Sequence, residues 1–122
     1  PIYMFNNIGI FREEESMKAG LEKVRELRQR YRNVKVRNTG RVYNMELIRA
    51  YELAGMIDVA EAIAAGALAR KESRGSHAPR DYPERGDENF LKHTLAYYSP
   101  EGVRLDYSPV TITRYQPQAR KY

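Results

Sequence analysis

The chain contains no cysteine, so disulfides, thiolate metal sites and thiol nucleophiles are all excluded. That absence suits a reducing compartment. Histidine is nearly as scarce, with His77 and His93 the only two. A third ligand to complete a metal set is missing, and Pro79 and Pro83 prevent the helix that would put His77 and Asp81 on one face. Long apolar runs are lacking too. The longest candidate, residues 56–69, is broken by Asp58 and Glu61 and is shorter than the ~20 residues a membrane span needs. The opening PIYMFNN has neither the basic nor the apolar region of a signal peptide. The eight glycines are spread so that the closest pair stands nine apart, which leaves no dinucleotide fingerprint and no phosphate loop.

What is present describes one soluble domain. The 122 residues suffice for a modest core, and 42% hydrophobic against 30% charged places the chain among globular proteins. The net charge of +5 comes largely from eight basic residues between Lys23 and Arg41, where Glu26 is the sole acid. Such a strip suggests a free-standing basic module for nucleic acid. However, Glu14 precedes Lys18, and Glu26 precedes Arg30, by the four residues that lace an exposed helix. No recognition motif accompanies the charge, so a solvated helix face without nucleic acid is expected.

Periodicity sets out the elements. Met17, Leu21, Val24, Leu27 and Tyr31 step by four, three, three and four, predicting a helix over 14–32, with Ser16 or the acids Glu13 to Glu15 at its start. Val34 and Val36 alternate like an extended run before a turn at Asn38-Thr39-Gly40. Asn44 is an N-cap for a long helix from Met45 to about Lys71, ~40 Å in length, with a stripe of Leu47, Ile48, Tyr51, Met56, Val59, Ile63, Ala67 and Leu68. Gly55 and Asp58 mark a possible kink. The first dozen residues supply a third, short helix. Beyond residue 92 the period changes to two, and Ser99-Pro100-Glu101-Gly102 joins the arms of a β-hairpin. Pro109 confines a further extended piece, 110–115, to an edge, and the tail PQARKY is basic.

Between helix and hairpin lies RKESRGSHAPRDYPERGDENFLKHT, which holds both histidines amid alternating charge. His77 with Asp81 or Glu84 could serve acid–base chemistry, but those types also fill solvated loops. Ser73 lacks the strained elbow that would activate it towards His77.

This stretch resembles the C-terminal signature of the succinate dehydrogenase and fumarate reductase flavoprotein subunits. Glu72-Ser73-Arg74-Gly75, then His77, match its Glu-Ser-Arg-Gly-x-His. Asp81-Tyr82-Pro83, Arg85 with Asp87, and Lys92-His93-Thr94 match the elements that follow. The resemblance extends from NNIGIFREEESM to the closing LDYSPVTITRYQPQARKY. Pro79 stands where the family has arginine, with Arg80 one place later, and Gly86 replaces the first Asp of Arg-Asp-Asp. L-Aspartate oxidases share the signature and are the alternative, although the YSPVTI ending favours the dehydrogenase and reductase group.

The resemblance implies a C-terminal piece of a subunit that binds FAD and interconverts succinate and fumarate in respiratory electron transport. Electrons would pass to an iron–sulfur subunit, with the flavoprotein peripheral on the cytoplasmic face of the cell membrane or the matrix face of the mitochondrial inner membrane. The family's catalytic and flavin-linking residues lie in the preceding flavin-binding and capping domains and have no counterpart here. No catalytic, cofactor or metal residue is therefore expected in this chain.

The expected fold is mostly α: one domain, 1–122, comprising a three-helix, spectrin-repeat-like bundle over about 1–71, a docking loop over 72–92, and a β-hairpin and tail over 93–122. The loop would dock on the flavin-binding and capping domains through Glu72, Ser73, Arg74, Gly75, His77, Arg80, Asp81, Arg85 and Asp87, with His93 beside it. In the chain alone, Arg74 is expected to meet exposed carboxylates such as Glu72.

Overall fold

The computed structural model describes residues 2–118. The last four residues of the basic tail lie outside them. Three helices form the body: α1 (Ile2–Ile8), α2 (Glu14–Tyr31) and α3 (Met45–Ala69). A two-residue strand, β1 (Phe11–Arg12), pairs in parallel with β2 (Ala78–Pro79). A single turn of helix, α4 (Asp87–Phe90), precedes the antiparallel hairpin of β3 (Lys92–Tyr97) and β4 (Arg104–Pro109), with Lys92 opposite Pro109 and Tyr97 opposite Arg104.

The bounds of α2 agree with its apolar stripe. Ser16 Oγ accepts the Glu13 N–H at its start, and the Lys18–Glu14 and Arg30–Glu26 pairs form on its surface. Its buried side is Met17, Gly20, Leu21 and Val24. A Cβ on Gly20 would come within 2.8 Å of Ile8, so this glycine is what lets α1 lie against α2. Asn44 caps α3 by accepting the Leu47 N–H at 3.0 Å. α3 runs unbroken past Gly55 and Asp58, so neither produces the expected kink. Val34 and Val36 pair with no strand. Their stretch is instead a loop held by Glu46, which accepts the N–H groups of Arg37 and Asn38, and by Asn44, which donates to the carbonyls of Asn38 and Gly40. Residues 110–115 likewise form no strand; the ladder ends at Pro109, which has no N–H to extend it.

The largest departure concerns the face of α3. Leu47, Ile48, Tyr51, Met56, Val59 and Ile63 are each 47% exposed or more. Burial falls instead on Ile57, Glu61, Ala64 and Ala65, with Ala67 shared between the two readings. The reason is electrostatic. Arg25 Nε donates to Glu61 Oε1 at 3.3 Å, and Arg28 donates to Asp58. Arg28 Nη2 also lies 2.9 Å from Glu61 Oε2, a charge contact rather than an aligned hydrogen bond. Turned outwards, Glu61 and Asp58 would meet only water; turned towards α2 they pair with its arginines, and the side of α3 bearing them faces that helix. The core between them is thin: Ile8, Met17, Leu21, Ala64, Ala65 and Ala67, roofed by Val103 and Leu105 of the hairpin arm. Gly102, at φ +134°, brings the hairpin turn onto Glu61, since a Cβ there would sit 3.0 Å from Oε1.

Candidate functional site

The 70–94 segment is built around one carboxylate. α3 stops at Ala69, and the extended backbone of Arg70 turns the chain back across the end of the helix. Glu72 is 1% exposed yet shallow, covered by its own partners. Its Oε1 accepts from Arg70 Nη1 and from Arg74 Nε at 2.8 Å. Its Oε2 accepts from Arg74 Nη2 at 3.1 Å and from the Gly86 N–H at 2.8 Å. Four donors fill the four acceptor positions of a carboxylate. Burial works against the charged form of Glu72, but the hydrogen bonds from Arg74, Gly86 and Arg70 outweigh it and hold its carboxyl below the ordinary range. The same bonds donated to Glu72, with a further one to Asp87, raise Arg74 further above the range in which it could lose its proton.

Arg70 and Arg85 tie this cluster into the fold. Arg70 also donates to the carbonyls of Phe90 (2.8 Å) and Lys92 (2.6 Å) and to Thr94 Oγ1 (3.1 Å), which bolts the end of α3 to the start of β3. Arg85 donates to Asp87 at 2.7 Å and to the Gln118 carbonyl at 2.6 Å. Ser73 donates its hydroxyl to the Tyr82 carbonyl and its N–H to the Glu84 carbonyl. Gly75, at φ +60°, makes the tight turn in which Arg74 and His77 exchange backbone hydrogen bonds of 2.8 and 3.0 Å.

His77 is a link rather than a base. Its Nε2 stands 2.8 Å from the Arg70 carbonyl, which can only accept, so Nε2 carries the proton. Nδ1 is then the acceptor facing Arg12 Nη1 at 3.3 Å. Burial, followed by the charges of Arg12 and Arg70, lowers the pKa of His77, so the ring stays neutral. Arg80 and Asp81 reach the other way, to the beginning of α2. Arg80 pairs with Glu13 at 2.9 Å, and Asp81 accepts the Glu14 N–H at the positive end of that helix. Tyr82 donates to Glu14 at 2.7 Å; the Lys18 bond first, and then this one, draw the half-buried Glu14 down to about 2.

The structure therefore joins Glu72, Ser73, Arg74, Asp87 and Arg85 in one network, with His77 attached through Arg70. Arg80 and Asp81 sit at a second anchor, and His93 stays apart, exposed on β3 opposite Ser108. Arg74 meets Glu72 as expected, but Glu72 is buried rather than exposed, which makes Arg74 an internal strut. Arg70 and Arg12 were missed: apart from the bond from Arg70 to Glu72, their partners are carbonyls, a hydroxyl and a ring nitrogen that no local pattern announces. Half of the basic strip is paired: Arg25 and Arg28 meet Glu61 and Asp58 of α3, and Lys23 and Arg30 meet Glu26 on the exposed surface of α2. Among the described residues, no group of three or more potential metal-ligating side chains converges, and no helix is long and apolar enough to cross a membrane.

What this network leaves facing outward is a groove lined by Ile10, Phe11, Gly75, Arg80, Pro83 and Arg85. Phe11 is 74% exposed there.

Comparison with known proteins places this geometry. The family described as "Fumarate reductase flavoprotein C-term" matches residues 2–122. The fumarate reductase flavoprotein subunit of Haemophilus influenzae is 45% identical over 120 residues, covering 98% of this chain and 20% of that protein. The succinate dehydrogenase flavoprotein subunit of Rickettsia conorii is 40% identical over 111 residues, covering 90% of this chain and 19% of that one. A solved structure of Escherichia coli quinol fumarate reductase superposes with a TM-score of 0.92 at 41% identity, over 97% of this chain and 21% of that one. The chain thus spans about a fifth of the length of the curated relatives it matches.

Proposed function

Because the chain belongs to the fumarate reductase flavoprotein C-terminal family, we propose that it is the C-terminal structural and docking domain of a flavoprotein subunit that interconverts succinate and fumarate. The single observation that carries this reading is the match of the family over the whole chain, including the residues that build the Glu72 network. Those residues spend their charge on one another, which makes the 72–92 segment a shaped surface rather than a reaction centre.

FAD belongs, in this proposal, to the rest of the full-length polypeptide, because the 70–94 segment does not fit it. A dinucleotide needs free N–H groups at a helix start or free guanidinium groups for its phosphates. Here the start of α2 is taken by Asp81, that of α3 by Asn44, and Arg70, Arg74 and Arg85 by carboxylates and carbonyls. No step of the reaction is therefore assigned to these residues. The segment docks on the flavin-binding and capping domains through its outward groups, Gly75, Arg80 and Arg85 beside Phe11, while Glu72, Ser73, Arg74, His77, Asp81 and Asp87 hold its shape. The assembled subunit would hand electrons to an iron–sulfur partner and lie peripherally on the cytoplasmic or matrix face of a membrane.

The test is to purify the full-length polypeptide carrying this sequence and assay bound flavin, reduction of fumarate by a reduced dye, and oxidation of succinate. Flavin with turnover of either dicarboxylate is expected. Oxidation of L-aspartate with neither of those activities would refute the assignment, and so would absence of flavin.

A further inference from the structure

α3 is apolar on two sides, and the bundle uses only one of them. Met45, Ile48, Met56, Val59 and Ile63 follow one another at helical spacing along the opposite side, with Glu52 in the same line, and each of the five is 47–59% exposed. The line runs ~27 Å at 1.5 Å per residue. From Leu53 to Ala69 the only charged residues are Asp58 and Glu61, and both turn towards α2, so this part of the outer side carries no charge. Gly55 lies beside the line with open space where a Cβ would be, leaving a shallow place for another backbone.

The loop ahead of α3 adds a second, independent observation. Val42 is 77% and Tyr43 93% exposed, and Tyr43 is held at φ +51°, a left-handed conformation that costs a bulky residue ~1–2 kcal/mol. The loop is not loose there. Glu46, Asn44 and the Asn38 side chain, which accepts the Gly40 N–H at 2.9 Å, fix it with five hydrogen bonds across residues 37–44. A rigid loop that presents two large apolar side chains outward, one of them strained, serves no contact within the described residues.

We infer that the outer side of α3, together with Val42 and Tyr43, is a permanent interface with the remainder of the full-length polypeptide, separate from the groove beside Arg80. The inference rests on the reading that this chain is one domain of a longer flavoprotein. Two observations select that occupant over an exchangeable subunit or a second copy. The relatives are about five times as long, so four-fifths of such a polypeptide lies outside this domain. The surface is also apolar and uncharged over most of its length, the character of an obligate interface that resembles a core cut in half, whereas transient partners meet through more polar surfaces.

Cysteine footprinting tests this, since these 122 residues contain no native thiol to confuse it. Val59→Cys, Ile63→Cys and Ile48→Cys are made singly in the full-length polypeptide, with Glu22→Cys on the exposed side of α2 as reference. Maleimide labelling is followed by peptide-resolved mass spectrometry, and flavin content is measured on the same samples. The α3 thiols are expected to label at least about 100-fold more slowly than the reference at every protein concentration, because a covered thiol reacts only through opening. Labelling within about tenfold of the reference overturns the inference. Protection that grows with protein concentration overturns it in favour of a second copy, and protection seen only after other subunits are added overturns it in favour of a separate partner. Labelling decides this interface and flavin content decides the proposed function, so either is able to fail alone.

Discussion

Replacing Glu72 by glutamine keeps the shape of the side chain and removes its charge. Each carboxylate oxygen accepts two hydrogen bonds, so whichever way the amide is turned its NH2 group faces two donors. Two bonds are lost and two arginines lose a counter-charge. Hydrogen bonds to charged groups are worth ~1.5–3 kcal/mol each, which would give about 3–6 kcal/mol. The lower end applies, because the Arg70 and Arg74 side chains are 14% and 28% exposed and keep Phe90, Lys92, Thr94 and Asp87 as partners. A loss of about 3 kcal/mol with a urea slope of ~1.5 kcal/mol/M moves the unfolding midpoint of the 122-residue chain down by ~2 M at pH 7. The sign of the pH dependence follows from the depressed carboxyl. Its contribution is present above the ordinary value of 4.5 and is lost as pH falls through the lower folded value, so the gap between parent and variant should close in acid. Arg80→Ala is the reference, since the Arg80–Glu13 pair is 71% and 51% exposed and such pairs contribute ~0–1 kcal/mol. A Glu72→Gln midpoint no lower than that of Arg80→Ala would refute the reasoning, as would a gap that persists unchanged well below pH 4.

Arg74→Ala should destabilise the same chain by about 2 kcal/mol, a fall of ~8 °C in melting temperature, and Arg74→Lys should recover less than half, since a single ammonium cannot span both oxygens of Glu72 and reach Asp87. A lysine variant as stable as the parent would show that only the charge at this position matters. Gly102→Ala should cost about 2 kcal/mol in urea unfolding, because φ +134° is a glycine conformation and the new methyl would sit 3.0 Å from Glu61 Oε1. A neutral result would mean that the hairpin turn moves off α3 freely.

Local signals sufficed for much of this protein. The stripe from Met17 to Tyr31 determines α2, Asn44 determines where α3 starts, and the alternation around Ser99-Pro100-Glu101-Gly102 determines the hairpin, since each depends on residues within a few positions of one another. The signature from Glu72 to Thr94 was enough for the family. Which side of α3 is buried could not be read in this way, because the helix is apolar on both sides and a 3.6-residue period is then satisfied twice. That choice goes with Arg25 and Arg28, 36 and 30 residues away in sequence from their partners Glu61 and Asp58. Burial of Glu72 is likewise a tertiary fact. A glutamate between a lysine and a serine reads as solvated, and it is driven inside only because Arg70, Arg74 and the Gly86 N–H converge on it with four donors. Periodicity reports how a segment could bury apolar surface, whereas the position of a charge depends on partners brought close by the fold, and the sequence around that charge does not contain them.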